Sequence, residues 1–160
     1  MNRYISTDHA SESPISNGQQ TLGVALPWSI AESLMRPDQP VIAVCGDGGF
    51  LFTATELETA VRMGTRFVLL IWDRGSYDMV EFQEQAHYGL VSGIKLGQYD
   101  VIKFAESFGC KGYVSTDPKQ ISNVLEDAHL LLVSRRAFRL DHASHLLPDS
   151  QIHAACKKMW

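Results

Sequence analysis

Apolar positions along the chain follow two alternating rhythms. Val41 to Cys45 is a short run, rich in β-branched residues and closed by a glycine, which predicts a buried strand. Phe67 to Trp72 repeats the pattern and predicts a second strand that is apolar on both faces, as in a parallel sheet. Between them Leu57, Ala60, Val61 and Gly64 recur at helical spacing, and Thr53-x-x-Glu56 has the form of a capping box that would start the helix. The three predict a βαβ crossover, with a turn Gly46-Asp-Gly-Gly-Phe50 at the carboxyl end of its first strand. In open parallel sheets that end is where ligands bind.

The same alternation runs through the rest of the chain. Leu22 to Met35 reads as a helix with Pro27 in its first turns and Pro37 ending it. Tyr77 to Tyr88 reads as another, with Met79, Val80, Phe82 and Ala86 facing inward. Asp100 is placed to cap a helix from Val101 to Phe108 that Gly109 closes. A short strand, Lys111 to Ser115, follows. Thr116-Asp-Pro118 then opens a helix carrying Ile121, Val124, Leu125 and Ala128 on one face, and Leu130 to Val133 supplies a last strand. This order implies an α/β fold, a doubly wound parallel sheet with helices on both faces.

Composition narrows the class without changing it. The chain has 160 residues, 45% hydrophobic and 20% charged, the profile of one soluble globular domain. A net charge of −4 argues against a general nucleic-acid partner. No apolar run is long enough to span a membrane, and no signal peptide is evident. Cys45, Cys110 and Cys156 lack CxxC spacing and cannot all pair, which fits a reducing cytoplasm. Residues 1–13 are a polar lead-in, and the domain proper is expected to run over 14–133. From His129 onward the chain carries five basic and two acidic side chains and four of the six histidines, so 134–160 reads as an atypical basic tail. His142 and His145 stand at helical spacing there, a pattern of a solvated amphipathic tail before that of a metal site.

The glycine turn carries the candidate chemistry. Gly46, Gly48 and Gly49 let backbone N–H groups come close to an anion, and a helix start behind them adds partial positive charge. Asp47 would repel a bare phosphate. The conflict disappears if a divalent cation lies between the carboxylate and a diphosphate. The alternative is an ordinary strand-to-helix turn in which Asp47 makes local hydrogen bonds.

The segments Ser16-Asn-Gly-Gln-Gln-Thr-Leu-Gly-Val-Ala-Leu-Pro-Trp28, Gly46-Asp-Gly-Gly-Phe-Leu-Phe52, Glu56-Leu-Glu-Thr-Ala-Val-Arg62, Tyr77-Asp-Met-Val-Glu-Phe-Gln83 and Ala105-Glu-Ser-Phe-Gly109 together resemble the thiamine-diphosphate enzymes. The match is nearest to the catabolic acetolactate synthases, which do without FAD. It covers roughly residues 14–128 and corresponds to the domain that binds the cofactor's diphosphate in a much longer enzyme.

The resemblance implies a thiamine-diphosphate-binding fold and a set of roles. Gln20, Leu22, Gly46, Asp47, Gly48, Gly49, Ser76, Tyr77, Met79 and Val80 would line the cofactor. Leu22 would be the apolar wedge that bends it, with plain core packing as the alternative. Met79 and Gln83 would lie at the reacting end, near the carboxylate of the substrate, pyruvate. Mg2+ would be held by Asp47 and the Ser76 carbonyl. The position where the family carries an Asn or Asp ligand is Arg74 here, and a guanidinium has no acceptor. Asp73 could substitute only if the loop shifts by one residue, and Arg74 could instead contact the diphosphate or point to solvent. Metal binding is therefore expected to be weakened or lost.

The glutamate that activates the cofactor belongs, in the family, to a separate pyrimidine-binding domain, commonly across a subunit interface of an oligomer. Glu56 and Glu58 are not candidates for that role. Two expectations follow: a fragment of acetolactate synthase that is inactive alone, or a non-catalytic remnant or interaction module associating with a full-length relative. An unrelated nucleotide-binding domain is disfavoured, since neither GxGxxG nor a P-loop is present.

Overall fold

The computed structural model of the chain describes residues 21–116 and 131–134. Four parallel strands form its sheet in the order β1 (Ile42–Gly46), β2 (Val68–Trp72), β4 (Leu131–Ser134), β3 (Gly112–Ser115). The helices are α1 (Ala25–Met35), α2 (Asp47–Leu51), α3 (Glu56–Arg62), α4 (Asp78–Tyr88) and α5 (Val101–Ser107). Strand and helix alternate as the sequence predicts, and the architecture is α/β. The helix expected over 118–128, the lead-in and most of the basic tail lie outside the described residues.

β2 is the buried centre: Val68, Leu69 and Ile71 are all but sealed from solvent. Phe67, Leu69 and Ile71 join Leu26 and Ile30 of α1, Phe50 of α2, Leu57 and Ala60 of α3, and Val101 and Ala105 of α5 in one core. Each large apolar side chain buried there is worth about 1.5–3 kcal/mol over an exposed position. Phe104 meets Phe50 edge-on at 6.3 Å, joining α5 to the turn after β1. The first strand departs from expectation. β1 is only partly buried along its length, because it lies at the edge of the described sheet.

Helix starts were the least legible feature. α1 begins at Ala25 rather than Leu22, because Gly23 takes a left-handed φ of +84° with its Cα pressed against Phe52, where a Cβ would lie 2.8 Å from that residue's Cβ. Pro27 sits in the first turn, where its missing N–H would have had no helical partner. Ser33 on α1 both donates to and accepts from the backbone of Arg66, pinning the helix to the start of β2. The capping box does not form. Thr53 donates its hydroxyl to the Gly23 carbonyl at 2.7 Å, and α3 starts three residues later with no side-chain cap. Of the spacing read for α3, Leu57 and Ala60 are buried and Val61 is exposed.

The cap on α5 forms as predicted: the Asp100 carboxylate accepts from the N–H groups of Ile102 and Lys103, each at 3.1 Å. α4 contradicts its predicted orientation. Met79, Val80, Phe82 and Ala86 are all exposed, and no residue of this helix is buried. Its apolar face has no covering element among the described residues. No helix among them is long and apolar enough to cross a membrane.

Candidate functional site

β1 and β2 run parallel with Gly46 opposite Trp72, so Asp47 and Asp73 leave the sheet next to each other at its carboxyl edge. Asp47 is 4% exposed. Its Oδ1 accepts the N–H of Gly48 at 2.8 Å, while its Oδ2 accepts the N–H groups of Arg74 at 3.0 Å and Gly75 at 2.5 Å. Three backbone donors thus satisfy a buried charge, and they tie the loop after β2 to the turn after β1.

The loop is held from its other side too. Tyr77 donates its N–H to the Ile94 carbonyl and Leu96 donates to the Gly75 carbonyl, both at 2.9 Å, around a bridge between Ser76 and Lys95. This support brings the Tyr77 ring over Gly48. A Cβ on Gly48 would lie 2.4 Å from Tyr77 Cε1, so glycine is required there by a neighbouring ring. Gly46 is different: it is exposed, and open space surrounds the position of its Cβ. Gly49 would make only ordinary contact, with Cys45 at 3.9 Å. Room for a ligand therefore lies over Gly46. α2 is five residues long, so its dipole is small, and anion attraction rests on individual donors.

The Arg74 side chain pairs with Asp78, not with Asp47. Its Nε lies 2.8 Å from Asp78 Oδ2, and Ser76 donates its hydroxyl to the other oxygen of the same carboxylate at 2.8 Å. The pair is half exposed and contributes little stability. Its consequence is local: the guanidinium charge is compensated by Asp78. Arg74 is thus paired with Asp78 and still partly open to solvent.

Two further side chains titrate far from their ordinary range: Cys45, which the sequence reads as part of a core strand, and Tyr99, which it does not single out. Burial first, and then the Asp47 carboxylate, push the Cys45 thiol up to about 12. The Tyr99 phenol is likewise pushed up to about 12, by burial first and then by Asp47, Asp73, Cys45 and Tyr77. Its hydroxyl is shut off from solvent without a hydrogen-bond partner among the described residues. Tyr99 directly precedes the Asp100 cap, which was its one sequence signal.

The other predicted residues divide. Leu22 is 48% exposed beside Gly23, so plain core packing does not describe it. Met79, Val80 and Gln83 lie exposed on α4, and Gln20 lies outside the described residues. Two open depressions flank α4, one lined by Glu81 and residues 91–95, the other by Arg74, Asp78, Phe82 and Gln85. Neither includes Gly46 or Asp47.

No three His, Cys, Asp or Glu side chains among the described residues form a metal-binding group. Magnesium, however, takes few protein ligands and fills its shell with water and phosphate oxygens. Each carboxylate oxygen can accept more than one partner. Asp47 therefore retains capacity for such an ion, as a minority donor.

Parallel strands, an open glycine over a buried acid and a loop fastened across two strand ends define a ligand-binding domain of the open α/β class, with its site at the carboxyl edge. The chain belongs to the thiamine pyrophosphate enzymes, and residues 1–138 match their C-terminal TPP binding domain. It is 48% identical over 125 residues to acetolactate synthase of Bacillus subtilis (strain 168), and 43% identical over 126 residues to the catabolic acetolactate synthase of Raoultella terrigena. These stretches cover 78% and 79% of this chain and 22% of each relative. Among solved structures, a thiamine diphosphate-dependent 4-hydroxybenzoylformate decarboxylase of Rhodococcus jostii RHA1 superposes with a TM-score of 0.65 at 25% identity, covering 72% of this chain and 23% of that one.

Proposed function

We propose that this chain is the diphosphate-binding domain of an acetolactate synthase, serving the condensation of two pyruvates to 2-acetolactate and carbon dioxide. The observation that carries the reading is the buried Asp47 carboxylate beside the open Gly46, in a segment 48% identical to acetolactate synthase. Thiamine diphosphate, when bound, supplies the electron sink for decarboxylation and carbon–carbon bond formation. The turn from Gly46 to Gly49 receives its diphosphate. Asp47 and the Ser76 carbonyl would hold magnesium there, weakly because Arg74 replaces a ligand, with Asp73 as a further oxygen only if the loop after β2 shifts by one residue. Gln20, Leu22, Tyr77, Met79 and Val80 flank the cofactor, Leu22 as its apolar support. Gln83 donates to the pyruvate carboxylate without titrating, and Met79 packs at the reacting end.

Turnover also needs a pyrimidine-binding domain or a full-length homologous subunit, in a cytoplasmic homo-oligomer. Glu58 is no substitute for the activating glutamate, since it is exposed and paired with Arg62 on α3 at 3.0 Å. The chain alone is expected to give no 2-acetolactate from pyruvate.

Tryptophan emission tests this reading, because Trp72 stands opposite Gly46 at the end of β2. Thiamine diphosphate with magnesium should quench the wild type saturably and leave Asp47→Ala unchanged. A folded wild type that does not respond would reject the reading.

A second reading is favoured by Arg74 and by the exposed face of α4: a non-catalytic module that associates with a full-length relative. Association with intact acetolactate synthase, without any cofactor response by the chain itself, would select it.

A further inference from the structure

We propose that Glu84 is a positioning residue for this site, holding α4 where Met79, Val80 and Gln83 can meet a bound cofactor. The inference rests on the proposed function, which gives those three side chains their roles.

Apolar burial does not fix α4 in place. None of its residues is buried, and the only positions along it that are even partly covered are the acids Glu81 and Glu84. Three residues apart, they lie on one side of the helix, and that polar side, rather than the apolar one, is turned towards the protein. Polar contacts hold the helix instead. At its start Asp78 takes both Arg74 and Ser76. At its far end Gly89 closes the helix with a φ of +66°, the chain turns back, and the N–H of Ser92 donates to Glu84 Oε2 at 2.8 Å.

Ser92 belongs to the segment that braces the glycine turn. Two residues on, Ile94 is buried, and its carbonyl accepts the N–H of Tyr77. Leu96 donates to the Gly75 carbonyl. Gly75 in turn donates to Asp47, and the Tyr77 ring lies over Gly48. The bond between Ser92 and Glu84 thus ties the far half of α4 to the frame that holds the turn. Val80 lies one helical turn before Glu84 on the same side, and Gln83 is its neighbour, so a shift of this end of the helix displaces both. The turn keeps its own bonds to residues 74–77 without Glu84. Glu84 therefore acts on the part of the ligand beyond the diphosphate.

Glu84→Ala removes the acceptor, whereas Glu84→Gln keeps an oxygen in its place. Calorimetric titration of the whole chain should show thiamine diphosphate binding about fivefold more weakly to Glu84→Ala, with inorganic diphosphate bound as by the wild type. Glu84→Gln should bind both as the wild type does. Amide exchange at Ser92 should accelerate in Glu84→Ala alone. A purely structural Glu84 would weaken both ligands alike or neither, and either result, with wild-type binding intact, would overturn the proposal alone. So would a Glu84→Gln variant as weak as Glu84→Ala. A folded wild type that binds neither compound would overturn it together with the diphosphate reading.

Discussion

The N–H of Arg74 donates to Oδ2 of Asp47 across 3.0 Å, and this bond fastens the loop after β2 to the turn after β1. With the N–H of Gly75 on the same oxygen and that of Gly48 on the other, a side chain of the turn becomes the organiser of a loop 27 residues away.

Removing that carboxylate should therefore cost stability as well as binding. Hydrogen bonds to a charged group contribute about 1.5–3 kcal/mol each, and Asp47→Ala leaves three donors unpaired, so a loss on the order of 3 kcal/mol is expected after partial rehydration. Chemical denaturation measures it. Amide exchange at Arg74 and Gly75 should accelerate in the same variant, and unchanged protection there would show that the loop is held by other means.

Gly48 and Tyr77 form a second testable pair. Gly48→Ala drives a methyl group into the Tyr77 ring and should cost about 1–3 kcal/mol. Adding Tyr77→Ala should recover part of that loss, making the two changes non-additive. Simple additivity in denaturation would mean the ring is not what excludes a side chain at 48.

The apolar face of α4 gives the opposite expectation. Met79 and Phe82 are 68% and 70% exposed, so Met79→Ser and Phe82→Ser should each change stability by no more than about 0.5 kcal/mol. A loss of several kcal/mol in denaturation would show that another part of the chain covers this helix. The same substitutions should reduce self-association in size-exclusion chromatography, because they break up an exposed apolar patch.

Alkaline pH should weaken the fold through Cys45 and Tyr99. Both are raised by burial, from 9.0 and 10.0 to about 12, so the unfolded chain ionises first. The folded state then holds more protons, and stability falls with rising pH. The contribution is complete below about pH 9 and is lost progressively towards pH 12. Cys45→Ala should flatten the early part of that decline in melting temperature measured against pH. An unaltered profile would remove Cys45 as a cause.

What sequence could and could not reveal follows the range of each interaction. The cap at Asp100 was legible because its acceptors lie two and three residues ahead. The crossover from β1 to β2 was legible because both strands are continuous apolar runs, although only β2 is largely buried. Thr53 misled because its hydroxyl serves Gly23, 30 residues back, and such a partner has no local signature. On α4 the periodicity identified an apolar face, but periodicity does not say whether anything covers it. Asp47 was read as a ligand or as a maker of local hydrogen bonds; its bond from Gly48 is local, whereas those from Arg74 and Gly75 came only from the fold.

The most direct test of the account is calorimetric titration of thiamine diphosphate into the purified chain, with magnesium and with chelator, alongside Asp47→Ala. The account predicts binding that magnesium strengthens and that the substitution abolishes. A folded chain that binds no cofactor in either condition, or binds it equally well without the Asp47 carboxylate, would contradict it.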